Sequence, residues 1–214
     1  GAKAGMGHSI REQGLKPGLG FFPDYYAVKA PVFSFNKMSD VDITLGPEMK
    51  STGEVMAIDY QYSRALYKAC IASGINIPNE GAILITVADM DKPEAAEIAT
   101  GFADLGYEII ATGGTANFLQ EKGIKVTVAT KLSEGTPNIL DDIKHGRIAM
   151  VINTLTHGRD VARDGFQIRR STVEHAIPCL TSIDTARELQ HVMSAMRRRR
   201  MVSIIALQDL AWEG

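Results

Sequence analysis

The sequence predicts an α/β protein in which a parallel β-sheet carries helices on both faces. Three observations support this fold class. Apolar runs alternate with helical patterns from Gly81 onward, and residues 82–87 form a continuous apolar run typical of a strand covered on both sides. A glycine turn at residues 112–115 then joins a second strand to a helix. The chain has 214 residues, 45% of them hydrophobic and 22% charged, which is typical of a globular protein with one or two domains.

The first part of the chain has a less regular pattern. Aromatic and β-branched residues predict a strand over residues 25–34, in which Pro31 indicates an edge or a break. Over residues 35–57, glycines and a proline among charged residues favour an ordered loop or a short broken strand. Residues 1–57 therefore hold too few core elements for a whole domain, and we interpret them as the end of one.

A helix and a linker follow this segment. Apolar residues at helical spacing predict the helix over residues 58–74, with Gly74 as its stop, and the linker spans residues 75–81. We place the domain boundary in the linker. This gives an N-terminal segment at residues 1–57, a helix and linker at residues 58–80, and a second domain at residues 81–214.

Repeated strand–helix units make up the second domain. Its predicted strands are residues 82–87, 107–111, 124–128, 148–152, 178–180 and 201–206. Its predicted helices are residues 92–105, with Asp91 as the N-cap, and residues 115–122, 136–145, 170–176 and 182–199. This alternation predicts right-handed crossovers and a ligand site beyond the carboxyl ends of the strands.

Polar and basic residues follow several of these strands. They are Thr86, Asp89, Asp91, Lys92, Thr112, Gly113, Gly114, Thr115, Thr130, Lys131 and residues 153–159, which include Asn153, Thr154, Thr156 and His157. Lysines, hydroxyls and the N–H groups of a helix N-terminus suit a phosphate or a carboxylate. In the alternative interpretation, Thr115 only caps its helix. Arg169 and Arg170 fit either a helix cap or an anion contact.

Other kinds of chemistry have weaker support. The five histidines and two cysteines show no metal-ligand spacing, and Cys179 has no base partner evident in the sequence. His157 could act as an acid–base group, although a lone loop histidine is more often only a polar residue. The basic run at residues 197–200 ends a helix, and the net charge of −2 argues against nucleic acid. A solvated face or a contact with a partner subunit explains that run better.

The sequence also predicts the compartment. Cys70 and Cys179 lie far apart in apolar settings, which indicates buried thiols in a reducing environment. The chain has no signal-peptide pattern and no run of about 18 apolar residues, so we expect a cytoplasmic protein. It begins without a methionine, which fits a piece of a longer protein.

Two strings resemble a known family. GPEMKSTGEVM at residues 46–56, followed by a linker and the ATGGTA string at residues 111–116, resembles the C-terminal end of the carbamoyl phosphate synthetase large subunit. The first string is quite specific, whereas methylglyoxal synthase and a bifunctional purine enzyme share the second. The resemblance implies the end of an ATP-grasp synthetase unit, followed by a methylglyoxal-synthase-like regulatory domain with a Rossmann-type parallel sheet.

The resemblance also implies an effector site and no catalytic residues in this chain. The implied phosphate-binding positions are Thr86, Lys92, Thr112, Gly113, Gly114, Thr115, Lys131, Asn153, Thr154 and Thr156. Glu54 matches a family position linked to ornithine at the junction of the two domains. Cys179 replaces an aromatic found in some ornithine-responsive members, which argues against ornithine activation. The implied effectors are uridine or inosine monophosphate.

Cofactors and partners follow from the same resemblance. The chain itself would hold no cofactor or metal, while the parent ligase would use ATP and Mg to make carbamoyl phosphate from bicarbonate and glutamine-derived ammonia. Its partners would be the rest of the large subunit, the small glutaminase subunit and, as a further possibility, copies of itself. Two alternatives remain: a methylglyoxal synthase-type lyase acting on a triose phosphate, and a vestigial oligomerisation domain. The lyase needs a catalytic aspartate after the third strand, where this chain has residues 131–137 and only later Asp141 and Asp142.

Overall fold

The computed structural model describes residues 1–14, 18, 23–37, 43, 45, 47–130, 132, 135–154, 161–198, 204 and 206–209. A short helix, α1 (Ala2–Gly5), precedes an antiparallel hairpin of β1 (Tyr26–Phe33) and β2 (Ser51–Asp59). The register pairs Tyr26 with Asp59 and Phe33 with Ser51, and a short 3-10 turn (Phe35–Lys37) follows β1. The predicted first strand is thus confirmed.

Of the two alternatives expected for residues 35–57, the strand is the one that forms over residues 51–57. Residues 51–57 form most of β2, although Gly53 and polar side chains interrupt the β pattern. The backbone ladder with β1 holds this segment extended, because strand formation depends more on the partner strand than on local propensity. Pro31 lies opposite Glu54, and among the described strands β1 pairs only with β2, as the expected edge position requires.

Helix α2 (Tyr62–Ala72) is shorter than predicted because residues 58 and 59 belong to β2. It ends before Gly74, which has a φ of +86° and thus a backbone conformation that favours glycine. A buried ion pair holds the helix on the hairpin. Lys68 Nζ lies 2.7 Å from Asp59 Oδ2 and donates to the Ile58 carbonyl at 3.1 Å, while Asp59 Oδ1 accepts from the Gln61 N–H at 3.1 Å.

The main sheet confirms the predicted fold class. Its five strands are β3 (Ala82–Thr86), β4 (Glu108–Thr112), β5 (Thr127–Ala129), β6 (Ile148–Asn153) and β7 (Cys179–Leu180). They run parallel in the order β5-β4-β3-β6-β7, so β3 lies at the centre. A parallel sheet of this kind needs helices on its faces to bury both sides.

The described residues hold five further helices: α3 (Lys92–Asp104), α4 (Gly113–Glu121), α5 (Ile139–Lys144), α6 (Val161–Glu174) and α7 (Ile183–Arg198). Short 3-10 turns cover Asp89–Asp91 and Leu207–Asp209. Alternate residues of β3 enter two separate cores, as the strand period of two requires. Ile83 and Ile85 pack with residues of α3, α4 and α7, whereas Leu84 packs with residues of α5 and α6. Helices therefore cover both faces.

Several predicted boundaries need correction. Helix α6 begins at Val161 instead of residue 170, and α5 begins after Asn138, whose side chain forms a capping box with Asp141. Strand β5 covers only the end of the predicted third strand. Asp91 occupies the N-cap position of α3, but its side chain makes no capping hydrogen bond. The predicted last strand, residues 201–206, lies largely outside the described residues.

We predict that the ion pair of Asp59 and Lys68 stabilises the fold. Burial alone would raise the pKa of Asp59, but hydrogen bonds from Lys68 and the Gln61 N–H, with the charges of Lys68 and Arg64, outweigh it and lower this pKa. Lys68→Met should lower the free energy of unfolding by about 3 kcal/mol at neutral pH, because it leaves a buried carboxylate without its cation. Chemical denaturation measures this change.

The control for this prediction is Lys29→Met. It removes an ion pair with Glu54 in which both side chains are about two-thirds exposed, so the change should stay below about 1 kcal/mol. Because the folded pKa of Asp59 is lowered, its contribution exists above the unfolded pKa near about 4 and is lost as the pH falls through the folded pKa. The difference between the wild type and Lys68→Met should therefore shrink in acid. Equal effects of the two substitutions at neutral pH would contradict the prediction.

Candidate functional site

Three neighbouring strands end in polar residues at the carboxyl edge of the main sheet. Strands β3, β4 and β6 end at Thr86, Thr112 and Asn153. The ladder pairs Thr86 with Asn153, and it pairs Ile85 with the residue before Thr112. These three side chains therefore lie side by side, as the sequence pattern predicted. We call this set, with the described residues of the adjoining loops, the edge site.

Hydrogen bonds connect the loops of the edge site. Thr112 Oγ1 donates to Thr86 Oγ1 at 3.2 Å. The segment after β3 is held from both sides, because the Val87 N–H donates to Thr115 Oγ1 at 3.4 Å and the Ala88 N–H donates to Thr154 Oγ1 at 2.9 Å. Thr115 and Thr154 are both buried. Hydroxyls predicted to contact a ligand thus also fix the backbone of a neighbouring loop.

The glycine turn places the start of α4 at this edge. Thr112 is the N-cap residue and makes no capping hydrogen bond with its side chain. Thr115 does not cap the helix, because it is the third helical residue and its hydroxyl accepts from Val87. The first-turn N–H groups of α4 therefore have no side-chain cap. Such groups, together with the helix dipole, favour a negative charge.

Two basic side chains flank the glycine turn and β6. A methyl group placed on Gly114 would lie 3.5 Å from Lys92 Nζ, so the ammonium lies beside the start of α4. Lys92 is largely buried and pairs with the exposed Asp89 at 2.6 Å. Arg169 of α6 is only 4% exposed, and its Nη1 donates to Asn153 Oδ1 at 2.7 Å. A buried guanidinium and a largely buried ammonium make this edge suitable for an anion.

The sequence left open whether Arg169 and Arg170 cap a helix or contact an anion. The structure gives these two residues different partners. Arg169 contacts the edge site through Asn153, whereas Arg170 Nε pairs with Glu174 on the same helix at 2.9 Å. Sequence reasoning did not assign Arg169 to the site. Helical spacing is the sequence signal that could have indicated this position, because it places Arg169 near the side of the helix that carries Ile168 and Thr172. In the structure, Ile168 and Thr172 are both buried. The predicted helix began at residue 170 and therefore left out Arg169 and the residues of α6 before it.

The remaining candidate residues do not belong to the edge site as described. Lys131, Thr156 and His157 are outside the described residues. Glu54 lies on β2, where its carboxylate pairs with Lys29 across the hairpin at 2.5 Å. Cys70 and Cys179 are both described and no disulfide joins them. Burial raises the pKa of the Cys70 thiol, which keeps it protonated and unreactive near neutral pH.

The described residues offer neither a metal-binding cluster nor a membrane-spanning helix. They contain no group of three or more His, Cys, Asp and Glu side chains arranged to hold a metal ion. Among the helices described, none is long and apolar enough to cross a lipid bilayer. A cavity of about 460 Å³ does lie between α2 and the end of α7, lined among others by Tyr67 and Arg197, but no residue of the edge site borders it.

Comparison with known proteins identifies the type of domain. Residues 94–181 match the family model described as the MGS-like domain, so the chain contains an MGS-like α/β domain. A methylglyoxal synthase from Elizabethkingia anophelis NUHP1 is 21% identical, with a TM-score of 0.43, over 53% of this chain and 79% of its own. A structure of ForH is 19% identical, with a TM-score of 0.36, over 55% of this chain and 80% of its own. Similarity of this degree carries no argument about activity.

We predict that Thr154 is needed to stabilise the loop after β3. Thr154→Val keeps the shape of the side chain but removes the acceptor of the buried Ala88 N–H. This should lower the free energy of unfolding by about 1–3 kcal/mol, measured by chemical denaturation, because a buried donor then lacks a partner. Thr100→Val is the matched control, since Thr100 only donates to the Ala96 carbonyl on the surface of α3. A similar loss in both variants would contradict the prediction.

Proposed function

We propose that this chain is the C-terminal part of a carbamoyl phosphate synthetase large subunit, and that its MGS-like domain binds a phosphorylated regulatory effector at the edge site. The observation that carries the proposal is the convergence of four anion-binding features at one edge. They are the uncapped start of α4, the Lys92 ammonium, the Arg169–Asn153 pair and a set of threonine hydroxyls. A phosphate needs this combination of charge and several donors.

Assignment to this particular enzyme rests on the order of the sequence strings. The GPEMKSTGEVM string lies largely on β2 and just before it, and the ATGGTA string spans the end of β4 and the start of α4. The parent ligase would make carbamoyl phosphate for pyrimidine and arginine synthesis in the cytoplasm, with ATP and Mg bound by its other domains. The remaining large subunit and the glutaminase subunit would be its partners, and uridine or inosine monophosphate its effector.

Helix α2 offers a physical route for regulation. It packs against the hairpin through the ion pair of Asp59 and Lys68, and Leu66 and Cys70 on the same helix pack into the core that α3 and α7 share. A change in either domain would therefore move atoms that both domains contact. By thermodynamic reciprocity, an effector that shifts this arrangement changes the affinity of the synthetase ligands, and those ligands change effector affinity by the same factor. Glu54, the position that the resemblance links to ornithine, lies on β2, one of the two strands of the hairpin that α2 contacts.

A lyase of the methylglyoxal synthase type is the rival function, and it would use the same phosphate-binding edge. It also needs a carboxylate to move protons. Of the acidic residues at the start of α5, Asp141 accepts from the Asn138 N–H at 2.9 Å, and Asp142 pairs with Arg147 at 3.5 Å. Both make structural contacts. Asp89, which is exposed and pairs with Lys92 at 2.6 Å, is a carboxylate at the edge site, so the preference for the regulatory function rests on the sequence strings.

We predict that Lys92 is required for nucleotide binding. Uridine or inosine monophosphate at about 100 times its dissociation constant should stabilise the wild type by roughly 2.7 kcal/mol, which is on the order of 5–10 °C in a thermal-shift experiment. Lys92→Ala should abolish most of this shift, because the ammonium beside the start of α4 is lost. Lys122→Ala is the control, since Lys122 lies over the Phe118 ring and not at the edge site. An undiminished shift in Lys92→Ala would reject the site.

An activity measurement distinguishes the two functions. We expect no methylglyoxal or phosphate release from dihydroxyacetone phosphate by the wild-type chain, because Asp141 and Asp142 are engaged in structural contacts. A colorimetric methylglyoxal assay with a genuine methylglyoxal synthase as positive control measures this. Release that depends on the enzyme and disappears in Lys92→Ala would replace the regulatory proposal with the lyase.

A further inference from the structure

We propose that Arg169 is a positioning residue that makes the edge site selective for ligands without acidic protons. It does so by turning Asn153 so that the amide presents only donors to the ligand. This inference rests on the proposed function and goes further, because it specifies the protonation state of the anion that the site accepts.

The direction of one hydrogen bond fixes the orientation of the Asn153 amide. A guanidinium has five N–H donors and no acceptor. At 2.7 Å from Arg169 Nη1, Asn153 must therefore present its oxygen to the arginine, and the observed contact is to Oδ1. The Nδ2 amino group, with two donors, is the half of the amide that this contact does not use. Both residues are about 4% exposed, so water competes weakly for the pair.

The threonines around Asn153 are oriented in the same sense. Thr115 Oγ1 and Thr154 Oγ1 each accept from a backbone N–H, and Thr86 Oγ1 accepts from Thr112. A hydroxyl that already accepts keeps its own O–H to donate. Three hydroxyls, one amide, one ammonium and the first N–H groups of α4 therefore offer donors at this edge. On the lysine side, the exposed Asp89 carboxylate is an acceptor that pairs with Lys92 at 2.6 Å. Beside Asn153, by contrast, a phosphate oxygen that carries a proton would meet a donor and lose a hydrogen bond.

Gly165 gives independent support for the Arg169–Asn153 pair. It lies within α6, where glycine costs up to about 1 kcal/mol relative to alanine. A Cβ at this position would lie 3.0 Å from Arg169 Nη1 and 3.5 Å from Asn153 Oδ1. The missing side chain thus provides the space in which the guanidinium and the amide meet. This contact explains a residue that helix propensity alone disfavours.

The test compares sulfate with inorganic phosphate at about pH 5, where sulfate carries no proton and phosphate is below its second ionisation. Dissociation constants come from calorimetry or from thermal shifts. The wild type should prefer sulfate by at least about ten-fold, because one charged hydrogen bond has roughly that effect on affinity. Both ligands are measured at one pH, so the free protein has the same protonation state in both measurements. Sulfate is a dianion and phosphate a monoanion at this pH, and a variant that keeps the protein charge separates the effect of this charge difference from that of the hydrogen bond.

Arg169→Lys is the principal variant, because it keeps the positive charge but loses the planar fork that holds the amide. The ratio of sulfate to phosphate affinity should fall several-fold, since Asn153 can then turn its oxygen toward a protonated phosphate. Gly165→Ala should lower the ratio in the same direction, because its Cβ would crowd the Arg169–Asn153 contact, while the helix preference of alanine offsets part of the stability lost there. Arg170→Lys is the matched control and should leave the ratio unchanged, as Arg170 pairs with Glu174.

The outcomes separate this inference from the proposed function. A wild type that binds neither anion, at this pH or at neutral pH, overturns both. A wild type that binds, with its affinity lost in Lys92→Ala but its selectivity unchanged in Arg169→Lys and Gly165→Ala, supports the site and overturns only the role of Arg169. A purely structural role for Arg169 would lower thermal stability and both affinities together, without changing their ratio.

Discussion

Parallel pairing of β3 with both of its neighbours is the constraint on which the rest of this domain depends. Because the strands run in the same direction, the ends of β3, β4 and β6 meet at one edge, and residues far apart in sequence become neighbours. Burial of Ile83, Leu84 and Ile85 in two cores fixes that register, since a slip of one residue would exchange the two faces. The edge site is therefore a consequence of how the core packs.

Contacts within the chain largely organise the edge site. Threonine hydroxyls hold the backbone after β3, and Arg169 holds the Asn153 amide. Ordered donors lower the conformational entropy that binding would otherwise cost. The same contacts also stabilise the fold, so substitutions at Thr115 or Thr154 change stability and binding together. Arg169 and Lys92 are better probes, because their charged groups contact the edge rather than a backbone donor.

The N-terminal segment is joined to this domain mainly through α2. One side of the helix carries the ion pair that Lys68 forms with Asp59, and Cys70 lies in the core beneath α3 and α7. An arrangement with charge on one side and apolar packing on the other resists separation of the two parts. It also transmits a displacement from one to the other, which is the physical requirement for regulation by a bound effector.

The sequence by itself determined the features that arise from short-range pattern. The apolar run of β3, the strand–glycine–helix turn at residues 111–116 and the glycines that end helices each depend on local sterics and burial period, and each appears in the structure. Only the tertiary structure decided the rest. Strand β2 forms because β1 supplies its hydrogen-bond partners, and Arg169 belongs to the site because α6 packs its buried face against β6. Such features depend on contacts between distant residues, which local sequence pattern does not record.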